Sequence, residues 1–283
     1  MTPKTINADD GIIVVKNLTK TFNNHTGPIT VLDNISISIE KGKTTVIIGP
    51  SGCGKTVFIK HLIVLERPTD GEIYFKGSKI DHLSETQLEK VRMQFGFCFQ
   101  MGALFDSMNV FENIIFPLQQ HQKIRDWKAV AQLVKDKLSM VGLDGYQNYL
   151  PASLSGGQKK RVALARAIAL NPEVILYDEP TTGLDPIRSD IINELIIKMK
   201  NELNITSVVV THDMHSAYKI ADRIVMFHEG RIIADGNAEH IRNHPHEVVQ
   251  QFIHGKVSEN DLAALKLSGT KFKAQYLPED FKS

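Results

Sequence analysis

Apolar and polar residues follow two different periods along this chain. Ile35, Ile37 and Ile39 alternate with Ser36 and Ser38, the period of two expected of a half-buried antiparallel strand. Gly42 ends that run. Thr44–Ile48 then forms a short β-branched stretch that reads as a buried central strand. A glycine-rich loop leads into a helix predicted over Lys55–Leu65. Thr69-Asp70-Gly71 marks a turn, and Glu72–Lys76 reads as another strand. From about Ser84 to Leu170 the pattern becomes mainly helical, with Phe95–Phe99 reading as a strand inside it. Trp127, Val130, Val134, Leu138 and Val141 fall three or four apart, one face of an amphipathic helix closed by Gly142. Asn171-Pro172 stops a later helix. Strand and helix then alternate: Val174–Tyr177 as a strand, Ile187–Leu203 as a helix, Thr206–Thr211 as a buried strand. Ile224–Phe227 and Ile232–Ala234 read as a hairpin about Glu229-Gly230. This order predicts an α/β fold with an antiparallel start, a mainly parallel sheet and a helical insertion over about 84–170. The patterned region covers about 12–254, and 255–283 reads as a tail.

Composition narrows the picture. The 283 residues suffice for one large α/β domain, with 42% hydrophobic and 23% charged residues. Lys plus Arg total 33 against 32 Asp plus Glu, a net charge of +1, too balanced for bulk-charge binding to nucleic acid. Two cysteines, Cys53 and Cys98, form no disulfide framework, which suits a reducing compartment. No apolar run reaches the roughly 18 residues needed to span a bilayer.

The chemistry begins at Gly49-Pro50-Ser51-Gly52-Cys53-Gly54-Lys55-Thr56, a P-loop pattern between a predicted strand and helix. Glycines let successive N–H groups turn toward phosphate oxygens, and the helix start adds partial positive charge. Lys55 then reaches the β- and γ-phosphates of a nucleotide, and the Thr56 hydroxyl suits Mg²⁺. Cys53 reads as a small buried thiol. Further on, Val174–Tyr177 delivers Asp178 and Glu179 at the C-terminal end of a buried strand, where ligands of open α/β sheets bind. Asp178 suits the metal through water, and Glu179 suits polarising an attacking water. A P-loop alone leaves GTPase, small-molecule kinase, helicase and transport motor open.

Leu154-Ser155-Gly156-Gly157-Gln158 separates these. A Ser-Gly-Gly segment opening a helix offers exposed N–H groups and a hydroxyl to a second anion. With this pentapeptide shortly before the acidic strand, the chain resembles an ABC-type ATPase, a P-loop fold with a RecA-like core, an antiparallel β-subdomain and an inserted helical subdomain. The resemblance implies further roles. Gln100 matches the Q-loop glutamine that reaches metal and water. Asp185 in Thr182-Gly183-Leu184-Asp185 matches the D-loop aspartate, and His212 the switch histidine at the γ-phosphate. Phe22 matches the aromatic that stacks on adenine. It also implies ATP and Mg²⁺ as cofactors and a homodimer in which the signature of one subunit caps the ATP held by the other.

Within that resemblance, a transport motor is the expected class. Soluble ribosomal ABC ATPases usually join two such domains, and chromosome ATPases insert a long coiled coil that is not patterned here. The segment after Gln100, Gly102-Ala103-Leu104-Phe105-Asp106-Ser107-Met108-Asn109-Val110-Phe111-Glu112-Asn113-Ile114, resembles the ATPases of MCE-associated, Mla-type lipid transporters. Leu104, Phe105, Met108, Val110 and Phe111 are expected in the groove that receives a permease. That resemblance implies a peripheral protein on the cytoplasmic face of the inner membrane, partnered by permease subunits and an MCE-domain protein. The alternative is the ATPase of a small-solute importer, such as one for amino acids. Val248–Gly255 resembles the end of the same ATPases, in which a C-terminal extension can reach the partner subunit. Lys159-Lys160-Arg161 reads as a charged helix face. His240, His244, His246 and His254 match no zinc spacing.

Overall fold

The computed structural model describes residues 7, 10–25, 27–121 and 126–256, whose strands form two sheets. The first is antiparallel. It comprises β1 (Ile13–Asn24), β2 (Gly27–Ile39), β4 (Asp70–Phe75) and β5 (Ser78–Lys79), in the order β2-β1-β4-β5. Ile35, Ile37 and Ile39 are buried while Ser36 and Ser38 are only half-buried, and Ile37 faces Val15 in register. The second sheet has the order β10-β9-β3-β8-β7-β6. Here β3 (Thr44–Ile48), β6 (Phe95–Cys98), β7 (Val174–Asp178), β8 (Thr206–Val210) and β9 (Arg223–His228) run parallel. Every residue of β3, β7 and β8 is buried, as their unbroken β-branched and apolar runs require of strands covered on both faces. Antiparallel β10 (Arg231–Gly236) closes one edge through a two-residue turn in which Glu229 (φ 48) and Gly230 (φ 75) are both left-handed.

The helix expected to reach Leu65 is shorter. α1 spans Lys55–His61, and the chain turns at Val64 (φ 51). The stop is local: the N–H groups of Val64 and Leu65 donate back to the carbonyls of His61 and Lys60, capping the last turn. Arg92 fixes the residues beyond it by donating to the carbonyls of Ile63 (3.0 Å) and Val64 (2.7 Å). α1 packs through Phe58 edge-on to Phe227, ring centres 5.2 Å apart, a pairing worth about 0.5–1.5 kcal/mol beyond area.

The stretch 84–170 holds a sheet strand among its helices. After α2 (Glu85–Arg92), β6 pairs in parallel with β7, and only then do α3 (Val110–His121), α4 (Trp127–Met140) and α5 (Gly156–Ala167) follow, packed on one another. The apolar face expected on α4 is buried at Val134, Leu138 and Val141. Val130 is half-buried and Trp127 exposed, so the first turn stands clear of the core. The chain continues through α6 (Pro186–Leu203), α7 (Met214–Ile220) and α8 (Ala238–Arg242).

Two compact units divide at residues 241 and 242. In the second, α9 (Glu247–His254) ends at Gly255 (φ 62), and Gln250 donates to the carbonyls of Arg242 and His244. The expected tail lies, beyond Lys256, outside the described residues. No helix among the described residues is long and apolar enough to cross a membrane.

Candidate nucleotide site

The loop after β3 is shaped by glycine where no other residue fits. A Cβ on Gly49 (φ 146) would sit 2.2 Å from the Phe227 carbonyl oxygen. One on Gly54 (φ 98) would sit 2.8 Å from that of Val31. Lys55 folds back over the loop it ends, its ammonium donating to the carbonyls of Gly49 (2.7 Å) and Pro50 (2.8 Å). Thr56 Oγ1 donates to Asp178 Oδ1 at 3.0 Å. Cys53 is buried, and that burial raises its thiol pKa, which suits packing and not nucleophilic work.

β7 reaches the same place with one strand, β8, between it and β3. Burial pushes the Asp178 carboxyl above the usual carboxylate range, opposed by the Thr56 hydrogen bond. Glu179 has left-handed backbone (φ 51), and its N–H donates to Val210 at 2.9 Å. Its Oε2 lies 2.9 Å from His212 Nδ1 and accepts from Thr182 Oγ1 at 3.1 Å. Ser51, Lys55, Thr56, Gln100, Glu179 and His212 line one cavity of about 310 Å³. Its chemistry is a cation, hydroxyls, an amide and a carboxylate paired to an imidazole, around a loop of N–H groups.

Ser155–Gln158, Asp185 and Phe22 do not line that cavity. Ser155 opens α5 as a reciprocal cap. Its Oγ accepts from Gln158 N–H at 3.3 Å, and Gln158 Oε1 accepts from Ser155 N–H at 2.8 Å. Gln158 Nε2 also donates to the Tyr146 hydroxyl. Asp185 caps α6, accepting from Arg188 N–H at 3.0 Å. Phe22 lies on the antiparallel sheet, partly exposed, with the Lys20 ammonium 4.8 Å from its ring centre.

An apolar groove of about 410 Å³ adjoins the segment after Gln100. Phe97, Phe99, Ala103, Phe105, Phe116 and Arg166 are among its lining. Of the five apolar residues expected there, Phe105 lines it. Val110 is buried in the core, and Leu104, Met108 and Phe111 are half-buried outside the lining. Sequence reading missed what holds this segment. Asn113, fully buried, accepts from Phe105 N–H and donates to the carbonyls of Phe105, Met108 and Asn109. Arg166 donates to Gly102 and Ala103, both at 2.8 Å.

The charged face expected at Lys159-Lys160-Arg161 is not solvated as such. Lys160 donates to Pro180 and Thr182, and Arg161 to Val141 and Gly142. Their partners are backbone carbonyls, which no side-chain pattern marks.

A glycine loop joining a parallel strand to a helix, with its lysine and threonine beside an acidic strand end, defines a P-loop nucleoside triphosphatase. Residues 32–182 match the family described as ABC transporter, and the chain belongs to that family, whose reaction is ATP hydrolysis. It is similar to the intermembrane phospholipid transport system ATP-binding protein MlaF of Haemophilus influenzae, at 41% identity over 88% of this chain and 92% of that protein. It is also similar to the probable ribonucleotide transport ATP-binding protein mkl of Mycobacterium tuberculosis H37Rv, at 38% identity over 86% and 67%. Among solved structures, a dimeric ATP-binding cassette bound to ADP and Pi is 34% identical, with a TM-score of 0.74 over 80% of this chain and 98% of that one.

Proposed function

We propose that this chain is the motor subunit of a transporter that moves phospholipids or other lipids between membranes of the cell envelope. The observation that carries the reading is the 41% identity to MlaF over nearly the full length of both proteins. The lipid-type segment after Gln100 supports it. A small-solute importer would share the motor and much of that segment, so the full-length identity to MlaF is what favours the lipid reading.

In this reading residues 12–254 form the nucleotide-binding domain. The N–H groups of Gly49–Thr56, with Lys55, hold the phosphates of ATP, and Phe22 takes the adenine. Thr56 Oγ1 and Asp178 Oδ1, 3.0 Å apart, with the Gln100 amide on the same cavity, form an oxygen donor set that fits Mg²⁺. Bound there, the cation would offset phosphate charge. Glu179 accepts the proton of the attacking water, and His212, its Nδ1 2.9 Å from the Glu179 carboxylate, faces the γ-phosphate. Ser155, Gly156, Gly157 and Gln158 present a second anion site. Absent from the cavity of their own chain, they serve a partner's ATP, with Asp185 beside them, so two chains form a homodimer with two sandwiched nucleotides. The groove at Phe105 receives a permease subunit. The complex includes an MCE-domain protein, binds no nucleic acid, and holds the motor at the cytoplasmic face of the inner membrane.

Purification from native membranes, with bound lipid analysed by mass spectrometry, tests the reading. A permease, an MCE-domain protein and phospholipid should co-purify. Recovery of an amino-acid permease without an MCE-domain protein would overturn it. Phe105→Asp should remove most of the chain from the membrane fraction while nucleotide binding persists, because a carboxylate in an apolar groove costs a few kcal/mol, on the order of a hundredfold in affinity.

A further inference from the structure

Helix α5 carries more than the signature at its start. Lys160 lies one turn further along, and its ammonium turns inward to three carbonyls: Glu179 at 3.4 Å, Pro180 at 2.8 Å and Thr182 at 2.7 Å. An ammonium has three donors and no acceptor, and here it meets three acceptors from one turn. That turn is unusual. Glu179 sits in the left-handed region at φ 51, a backbone that a non-glycine residue keeps only where its surroundings hold it. Val210 holds one side by accepting the Glu179 N–H. Lys160 holds the other, gripping both the first residue of the turn and Thr182. Thr182 in turn donates its hydroxyl to the Glu179 carboxylate. Burial lowers the Lys160 pKa from its ordinary value, with the Glu179 charge opposing, so the ammonium is kept there against a desolvation cost.

We propose that Lys160 is a positioning residue for ATP hydrolysis: it locks the 179–182 turn so that the Glu179 carboxylate is aimed at the attacking water, and it ties that aim to the helix that carries the signature. The proposal rests on the reading of Glu179 as the base, and the test separates the two.

Lys160→Met, Lys160→Arg and Glu179→Gln are compared in the full chain purified with its membrane partners. ATP turnover, KM for ATP, binding of a non-hydrolysable ATP analogue and melting temperature are measured. Lys160→Met should lower kcat about 10- to 100-fold, the cost of a roughly 1 Å misplacement, with KM within about twofold. Lys160→Arg, which keeps the charge and several donors, should restore kcat to within about fivefold of the parent. Glu179→Gln should abolish turnover while binding persists. Parent-like kcat in Lys160→Met beside an inactive Glu179→Gln would overturn the role of Lys160 alone. Turnover persisting in Glu179→Gln would overturn the reading of Glu179. Loss of analogue binding in Lys160→Met, or no rescue by arginine, would make Lys160 a general scaffold residue and also sink the proposal. Should the methionine variant not fold, Lys160→Gln takes its place with the same expected split between kcat and KM.

Discussion

The two regions proposed to meet phosphate, one around Lys55 and one around Ser155, differ in how far their groups converge. Around Lys55 the parts converge. Three parallel strands, β3, β7 and β8, bring a glycine loop, a hydroxyl and a Glu–His pair to one cavity, with the buried Asp178 carboxylate accepting from the Thr56 hydroxyl beside it. Around Ser155 the local structure is as well made, with a reciprocal cap and a buried Gly157, yet its groups face no cavity shared with Lys55. The first region gathers its groups at one pocket. The second is a capped helix start that lies apart from that pocket. What the difference teaches, on the proposed reading, is that the two halves would meet only between two chains.

The comparison can be broken most directly at the first region. Glu179→Gln should cut ATP turnover by about 10²–10⁴-fold, the usual worth of a general base, while leaving an ATP-bound dimer detectable by gel filtration. Parent-like turnover would show that the Glu–His pair is not where the reaction is driven. A sharper test uses both regions. Lys55→Met and Ser155→Arg chains should each be inactive alone. Mixed equally, they should recover up to about a quarter of parental turnover, since half the dimers carry one intact site assembled from two chains. Absence of recovery would mean that the halves do not meet across subunits. The smallest effect concerns acid. His61, in the helix that follows the phosphate loop, is buried with Nδ1 2.7 Å from the Val57 carbonyl, and burial lowers its pKa. The unfolded chain takes up that proton near the ordinary histidine value and the folded chain only at lower pH. The stability it contributes is therefore complete above that ordinary value and is lost as pH falls toward the folded one. Denaturant unfolding from pH 7.5 to 5.5 should lose stability more steeply in the parent than in His61→Leu. Equal slopes would show that His61 does not set the acid limit of this region.

Much of this was legible in the sequence because periodicity and side-chain chemistry were both local. The runs Thr44–Ile48, Val174–Tyr177 and Thr206–Thr211 announced buried strands, and Gly49–Thr56 announced its loop. The strand 95–98 was legible too, although it joins the main sheet inside a stretch that reads as helical. What escaped depends on backbone carbonyls brought together by the fold. The turn after α1 is held by Arg92, some thirty residues on, which donates to the carbonyls of Ile63 and Val64. Lys159-Lys160-Arg161 reads as a charged helix face, yet Lys160 and Arg161 point at backbone carbonyls, as does Arg166 further along the same helix. Every residue carries a carbonyl, so composition gives no sign of which ones a cation will find. Asn113 escaped for a related reason: its four hydrogen bonds go to the main chain of a loop that exists only once folded.

The neighbours of β3 have a consequence for the birth of the protein. The strand that feeds the phosphate loop pairs with β8 on one side and β9 on the other, Thr45 facing Val208 and Arg223. Both partners leave the ribosome long after β3 does. For most of its synthesis a nascent chain therefore carries an unpaired, β-branched strand that is fully buried in the folded protein, and such long-range pairing is slow and exposed to aggregation. Ribosome-bound fragments ending before about residue 226 lack at least part of the two strands that flank β3, Met226 being the partner of Ile48, and chaperone capture of such fragments should fall once that partner has emerged.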